Sequence, residues 1–72
     1  MTPHLFYGRR MAGMRKALGL SQSQLAEAID VPPAFISHLE TGKRLPSVPT
    51  LRRLAIALRC SADFLLGIEG RP

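Results

Sequence analysis

Between Gln22 and Glu40 the apolar positions follow two short helical patterns. Leu25, Ala26 and Ile29 fall at i, i+1 and i+4, and Ile36 and Leu39 at i and i+3, so each run gathers its apolar side chains on one face. Asp30-Val31-Pro32-Pro33 cannot carry a helix through, because proline lacks the amide donor and drives the residue before it out of the α region. The pattern predicts two helices of about two turns each, joined by a tight turn, crossing steeply and needing other helices to cover their apolar faces. Upstream, Tyr7, Met11, Met14 and Leu18 share a stripe, which predicts a first helix from about Pro3 to Leu18, capped by Thr2 and stopped by Gly19. Gly8 and Gly13 inside it each cost roughly 1 kcal/mol relative to alanine, so its first turn is expected to fray. Downstream, Ser47 caps a helix whose buried stripe is Val48, Leu51, Leu54, Ala55 and Leu58. Ser61 caps a short last helix, Ala62 to Leu66, that Gly67 ends. The fold class is all-α, with five helices.

Composition narrows the picture. At 72 residues the chain reads as one domain, residues 1–72 with a core from about 7 to 67, near the size where a lone core barely suffices. It has no run of about 18 apolar residues and no signal-peptide pattern, which predicts a soluble cytoplasmic protein with no membrane partner. Cys60 is the only cysteine, so a disulfide within the chain is impossible and a small packed thiol is expected rather than a metal ligand. The methionines read as core filling. The net charge of +5 is unevenly spread. Residues 1–26 carry Arg9, Arg10, Arg15 and Lys16 without an acid, and residues 41–62 carry Lys43, Arg44, Arg52, Arg53 and Arg59 without an acid. Residues 27–40 hold Glu27, Asp30 and Glu40 and no Lys or Arg. A polyanion would be gripped from the flanks of the two-helix unit. Charge alone fits a solvated basic surface equally well.

Several short elements in one order carry more weight. Leu20-Ser21-Gln22, Leu25-Ala26, Val31, Ile36-Ser37, Glu40, Gly42-Lys43, Pro46-Ser47, Leu54-Ala55 with Leu58, and Ser61 through Gly67 together resemble the Xre-type helix-turn-helix of phage repressors and Cro-like regulators. The resemblance runs from about Tyr7 to Gly67 and implies a compact five-helix, lambda-repressor-like fold with the helix-turn-helix at the second and third helices. It implies a sequence-specific regulator of double-stranded DNA, most simply a prokaryotic or phage repressor. The third helix, Pro33 to Thr41, would enter the major groove. Two positions depart from the family. Asp30 stands where glycine is usual, which predicts a positive φ on a residue that tolerates it. Pro32 stands where a Ser or Thr usually caps the third helix, so that helix is expected to start without a side-chain cap, with Pro33 at its first position.

Ile36 and Leu39 should then face the core, with Phe35 at the rim, leaving Pro33, Ala34, Ser37 and His38 as base contacts. None of these four makes the bidentate bonds that arginine, lysine, asparagine or glutamine make to purines. Preference would rest partly on thymine methyls and DNA shape rather than on paired hydrogen bonds. The resemblance assigns phosphate contacts to Gln22, Lys43 and Arg44, and an ion pair to Arg15 and Glu40. Arg52, Arg53 and Arg59 fall off the buried stripe and read as solvent or rim residues.

The tail from Ile68 to Pro72 is too short to hold an effector domain. Phe64, Leu66 and Ile68 exceed what a one-turn helix needs for docking and suggest a homodimer surface, since such regulators bind half-sites about 34 Å apart. An alternative keeps the fold but makes the chain an antitoxin or other subunit with a protein partner such as a toxin. No catalytic constellation and no cofactor are implied: there are two histidines, no nucleophile elbow and no phosphate-binding glycine loop.

Overall fold

The computed structural model describes the backbone of residues 3–68, with side chains from Gly8 onward. The expected cap at Thr2, the side chain of Tyr7 and the tail beyond Ile68 lie outside the described residues. The five helices are α1 (Pro3–Ala17), α2 (Gln22–Ile29), α3 (Pro33–Glu40), α4 (Val48–Ala57) and α5 (Ala62–Leu65), and the described residues contain no strand. α1, α3 and α5 each stop one residue earlier than the apolar spacing suggests. Leu18 already lies outside α1, and Thr41 and Leu66 are C-caps.

The helix starts follow local chemistry. Ser21 and Gln24 form a capping box: the Gln24 amide donates to Ser21 Oγ at 3.0 Å and the Ser21 amide to Gln24 Oε1 at 2.8 Å. Ser47 and Ser61 accept from the amides of Thr50 and Phe64. α3 begins on Pro32 with no side-chain bond and takes Pro33 at its first position.

All five helices end in one motif, in which an amide past the end donates to the carbonyl five residues back and the amide before it donates to the carbonyl three residues back. In α2 these bonds are Val31 N–H to Ala26 O at 3.0 Å and Asp30 N–H to Glu27 O at 3.3 Å. The motif needs one left-handed residue per helix. Gly19, Gly42 and Gly67 fill the role after α1, α3 and α5, while Asp30 (φ 60°) and Arg59 (φ 55°) fill it after α2 and α4.

The core is built from every helix. Met11, Leu25, Ile36, Leu39, Leu54, Leu58 and Leu65 are fully buried, with Ala26 and Ile29 beside them. α2 packs on α3 and α4, α1 on α3 and α5, and α4 on α5. The stripe expected for α4 is therefore interrupted at its first position. Leu54 and Leu58 are buried and Leu51 and Ala55 half-buried, but Val48 is 80% exposed, because it lies at the edge of the stripe on the side of exposed Arg52 and Ile56. Leu18, just outside α1, is also exposed.

Candidate nucleic-acid interface

Two elements hold α3 in place. Its inner face puts Ile36 and Leu39 in the core, with Phe35 half-buried against it. Its C-terminal end is tied to α1 and α2 by charge. Arg15, 9% exposed, donates from Nε to Glu40 Oε2 at 2.6 Å and from Nη2 to Oε1 at 3.2 Å, and its Nη1 donates to the Leu20 carbonyl at 2.8 Å. Gln22 Nε2 donates to Glu40 Oε1 at 3.0 Å. An acid at the C-terminal end of a helix opposes the helix dipole, and the guanidinium and amide supply the compensation.

The same contact shows why α1 has a glycine in its interior. Gly8, Met11 and Arg15 share one face of α1, and a Cβ on Gly8 would collide with the Glu40 carbonyl and come within 2.8 Å of the Leu39 carbonyl oxygen. The two helices meet backbone to backbone at this point. Sequence reasoning counted Gly8 only as a helix-weakening residue. The available sign was its spacing of i, i+3 and i+7 with Met11 and Arg15.

The outer face of α3 is open among the described residues. Pro33 and Ala34 are exposed, and Ser37 and His38 are half-buried. The chain folds back directly after α3: the amides of Lys43 and Arg44 both donate to the His38 carbonyl, at 2.9 and 3.2 Å. This places two exposed cations beside the C-terminal half of α3. Ala34, Phe35 and His38 form one wall of a shallow groove of about 390 Å³ that Val31, Pro32, Arg44 and Thr50 complete. Thr50 was not among the residues expected there; it arrives because the first turn of α4 lies across from α3. Gln22 stands at the C-terminal end of α3, joined to Glu40.

The residues expected at a dimer surface divide. Phe64 is half-buried against the core, with the Arg10 guanidinium 4.7 Å above its ring and Arg10 Nη1 donating to its carbonyl at 3.2 Å. Leu66 and Ile68 remain 47% and 57% exposed. Val48 and Ile56 form a second exposed apolar patch on α4, flanked by Arg52 and Arg53. Cys60 is half-buried and reduced, and desolvation pushes its thiol pKa up. No group of His, Cys, Asp and Glu among the described residues could hold a metal ion.

A tight two-helix turn, a covered inner face, an open outer face and flanking cations define a helix-turn-helix module. The helix-turn-helix family profile matches residues 12–65, and the chain belongs to that family of DNA-binding transcriptional regulators. It is 36% identical over 59 residues to the uncharacterized HTH-type transcriptional regulator YazB of Bacillus subtilis, covering 82% of this chain and 86% of that protein. It is 36% identical over 58 residues to the CTXphi transcriptional repressor RstR of Vibrio cholerae, covering 81% of this chain but only 52% of RstR. Among solved structures it resembles the restriction-modification controller protein C.AhdI of Aeromonas hydrophila, with a TM-score of 0.80 and 31% identity over 85% of this chain and 92% of that one. It also resembles the clp gene regulator ClgR of Corynebacterium glutamicum, with a TM-score of 0.83 and 29% identity over 92% of this chain and 86% of that one.

Proposed function

We propose that this regulator is a repressor that lays α3 in the major groove of double-stranded DNA as a homodimer. The observation that carries the reading is the position of α3: anchored from within by Arg15–Glu40, with Pro33 and Ala34 exposed on its outer face, Gln22 joined to its C-terminal end, and exposed Lys43 and Arg44 folded back beside it. Pro33, Ala34, Ser37 and His38 would meet base edges, while Gln22, Lys43 and Arg44 would meet phosphates and set the register. Gln22 keeps an amide hydrogen for a phosphate while its other hydrogen holds Glu40. Exposed Leu66 and Ile68 support a two-fold contact near the end of α5. No helix among the described residues is long and apolar enough to cross a membrane, and work on DNA in a bacterial or phage-infected cell would place the protein in the cytoplasm.

Selection from random duplexes at a stated salt concentration, with sedimentation in parallel, tests this reading. It expects a two-fold symmetric site with half-sites about one turn apart and a dimer on it. A protein with no preference among duplexes would overturn it. A second reading, a DNA-binding subunit that also holds a protein partner of the antitoxin type, is favoured by one observation: exposed Val48 and Ile56 beside Arg52 and Arg53, a surface suited to an acidic apolar partner. Co-purification of a stoichiometric second chain, lost on I56D, would support it.

A further inference from the structure

We infer that the groove between α3 and α4 receives the C5-methyl edge of a pyrimidine, so that 5-methylcytosine is read there as thymine and cytosine methylation raises affinity. The inference rests on the proposed docking of α3 and adds the chemical group that α3 selects.

Its basis is what the outer face contains. The residues offered to base edges are a proline, an alanine, a serine and a histidine, none of which forms the paired bonds by which side chains select guanine or adenine. The groove beside them has a largely apolar lining from Val31, Pro32, Ala34 and Phe35. Its volume, about 390 Å³, is more than a methyl group fills and admits the edge of a pyrimidine ring. Arg44 on the groove wall offers a charge complementary to an adjacent phosphate.

In the major groove thymine presents O4 and a C5-methyl, cytosine presents N4 hydrogens and a bare C5, and 5-methylcytosine restores the methyl at the same place. An apolar wall senses the methyl and is indifferent to which polar atom lies next to it. The polar side chains on the groove wall that could tell O4 from N4 are His38, Thr50 and Arg44. If any of them read that atom, thymine and 5-methylcytosine would part company, which makes the inference separable from ordinary thymine recognition.

The experiment uses the duplex obtained by selection and compares two matched substitutions at each half-site pyrimidine: T·A against U·A, and 5-methyl-C·G against C·G. Each pair differs by one methyl and nothing else. At one position or more, the methyl is expected to raise affinity about fourfold in both pairs, the equivalent of about 0.8 kcal/mol for one buried carbon. A34Q fills the groove from an exposed helical position and is expected to abolish both methyl effects, with thermal melting confirming the fold. Equal affinity within both pairs, or a thymine–uracil difference without a matching 5-methylcytosine–cytosine difference, would overturn the inference while leaving DNA binding intact. Failure to bind any duplex would overturn it together with the proposed function.

Discussion

Arg15 and Glu40 are 25 residues apart in the chain and meet in a two-point contact of 2.6 and 3.2 Å, with side chains 10% and 8% exposed. Removing one partner of a pair this sheltered leaves a charge with little water, a cost of about 3 to 5 kcal/mol when burial is full, against about 0 to 1 kcal/mol for exposed pairs. A double-mutant cycle with R15M and E40Q, followed by urea unfolding, should give a coupling energy above the exposed-pair range. Coupling near zero would mean that the contact contributes only geometry.

Gly8 and Gly13 lie in the same helix and should respond oppositely to alanine. Nothing lies within 4 Å of a Cβ built on exposed Gly13, so G13A should stabilise by about 0.5 to 1 kcal/mol through helix propensity. At Gly8 the added carbon meets the backbone of α3, which cannot rotate aside. G8A should destabilise despite its propensity gain, by about 1 to 2 kcal/mol after an overpacking cost of about 1 to 3 kcal/mol. Thermal melts of the two variants check the signs.

Asp30 and Arg59 hold left-handed conformations where the other three helix ends have glycine. An L side chain pays about 1 kcal/mol or more there. D30G and R59G should each stabilise by a few tenths to about 1 kcal/mol, reduced by the extra freedom glycine has in the unfolded chain. Melting temperatures that fall in both variants would refute the strain argument.

Lys43 and Arg44 are expected to act on affinity without acting on preference. K43A and R44A should each make the fall of log affinity with log salt shallower by about 0.9, the value for one phosphate contact on duplex DNA. The sequence selected by either variant should stay the same. Titrations at several salt concentrations, on the selected and on a scrambled duplex, measure both quantities.

Desolvation raises the Cys60 pKa, so at a given pH less of it is thiolate than in an unstructured peptide. Alkylation by iodoacetamide should be slower than in the urea-unfolded chain, with its rate rising at higher pH than in that chain. The linked effect on stability follows from the raised value: it is neutral below the unfolded pKa and lowers stability as pH rises towards the folded one. C60A should remove that alkaline loss.

Much of this protein follows from rules that act within one helical turn. Serine caps at positions 21, 47 and 61 and the proline break at 32 and 33 depend on atoms no more than a few residues away, so the chain alone specifies them, while the positive φ at Asp30 is legible through the family position where glycine is usual. The apolar spacing likewise specifies that Ile36 and Leu39 turn inward. Arg59 escaped because arginine carries no composition cue for a left-handed helix end; only the bonds from the amides of Arg59 and Cys60 reveal it. Tertiary structure alone decided how far α1 approaches α3 at Gly8, that Gln22 joins the Arg15–Glu40 pair, that Phe64 turns to the core and Arg10, that Val48 stays exposed, and that Thr50 closes a groove beside Ala34. Each depends on where a second helix happens to lie, a distance between residues far apart in the chain that no local spacing contains.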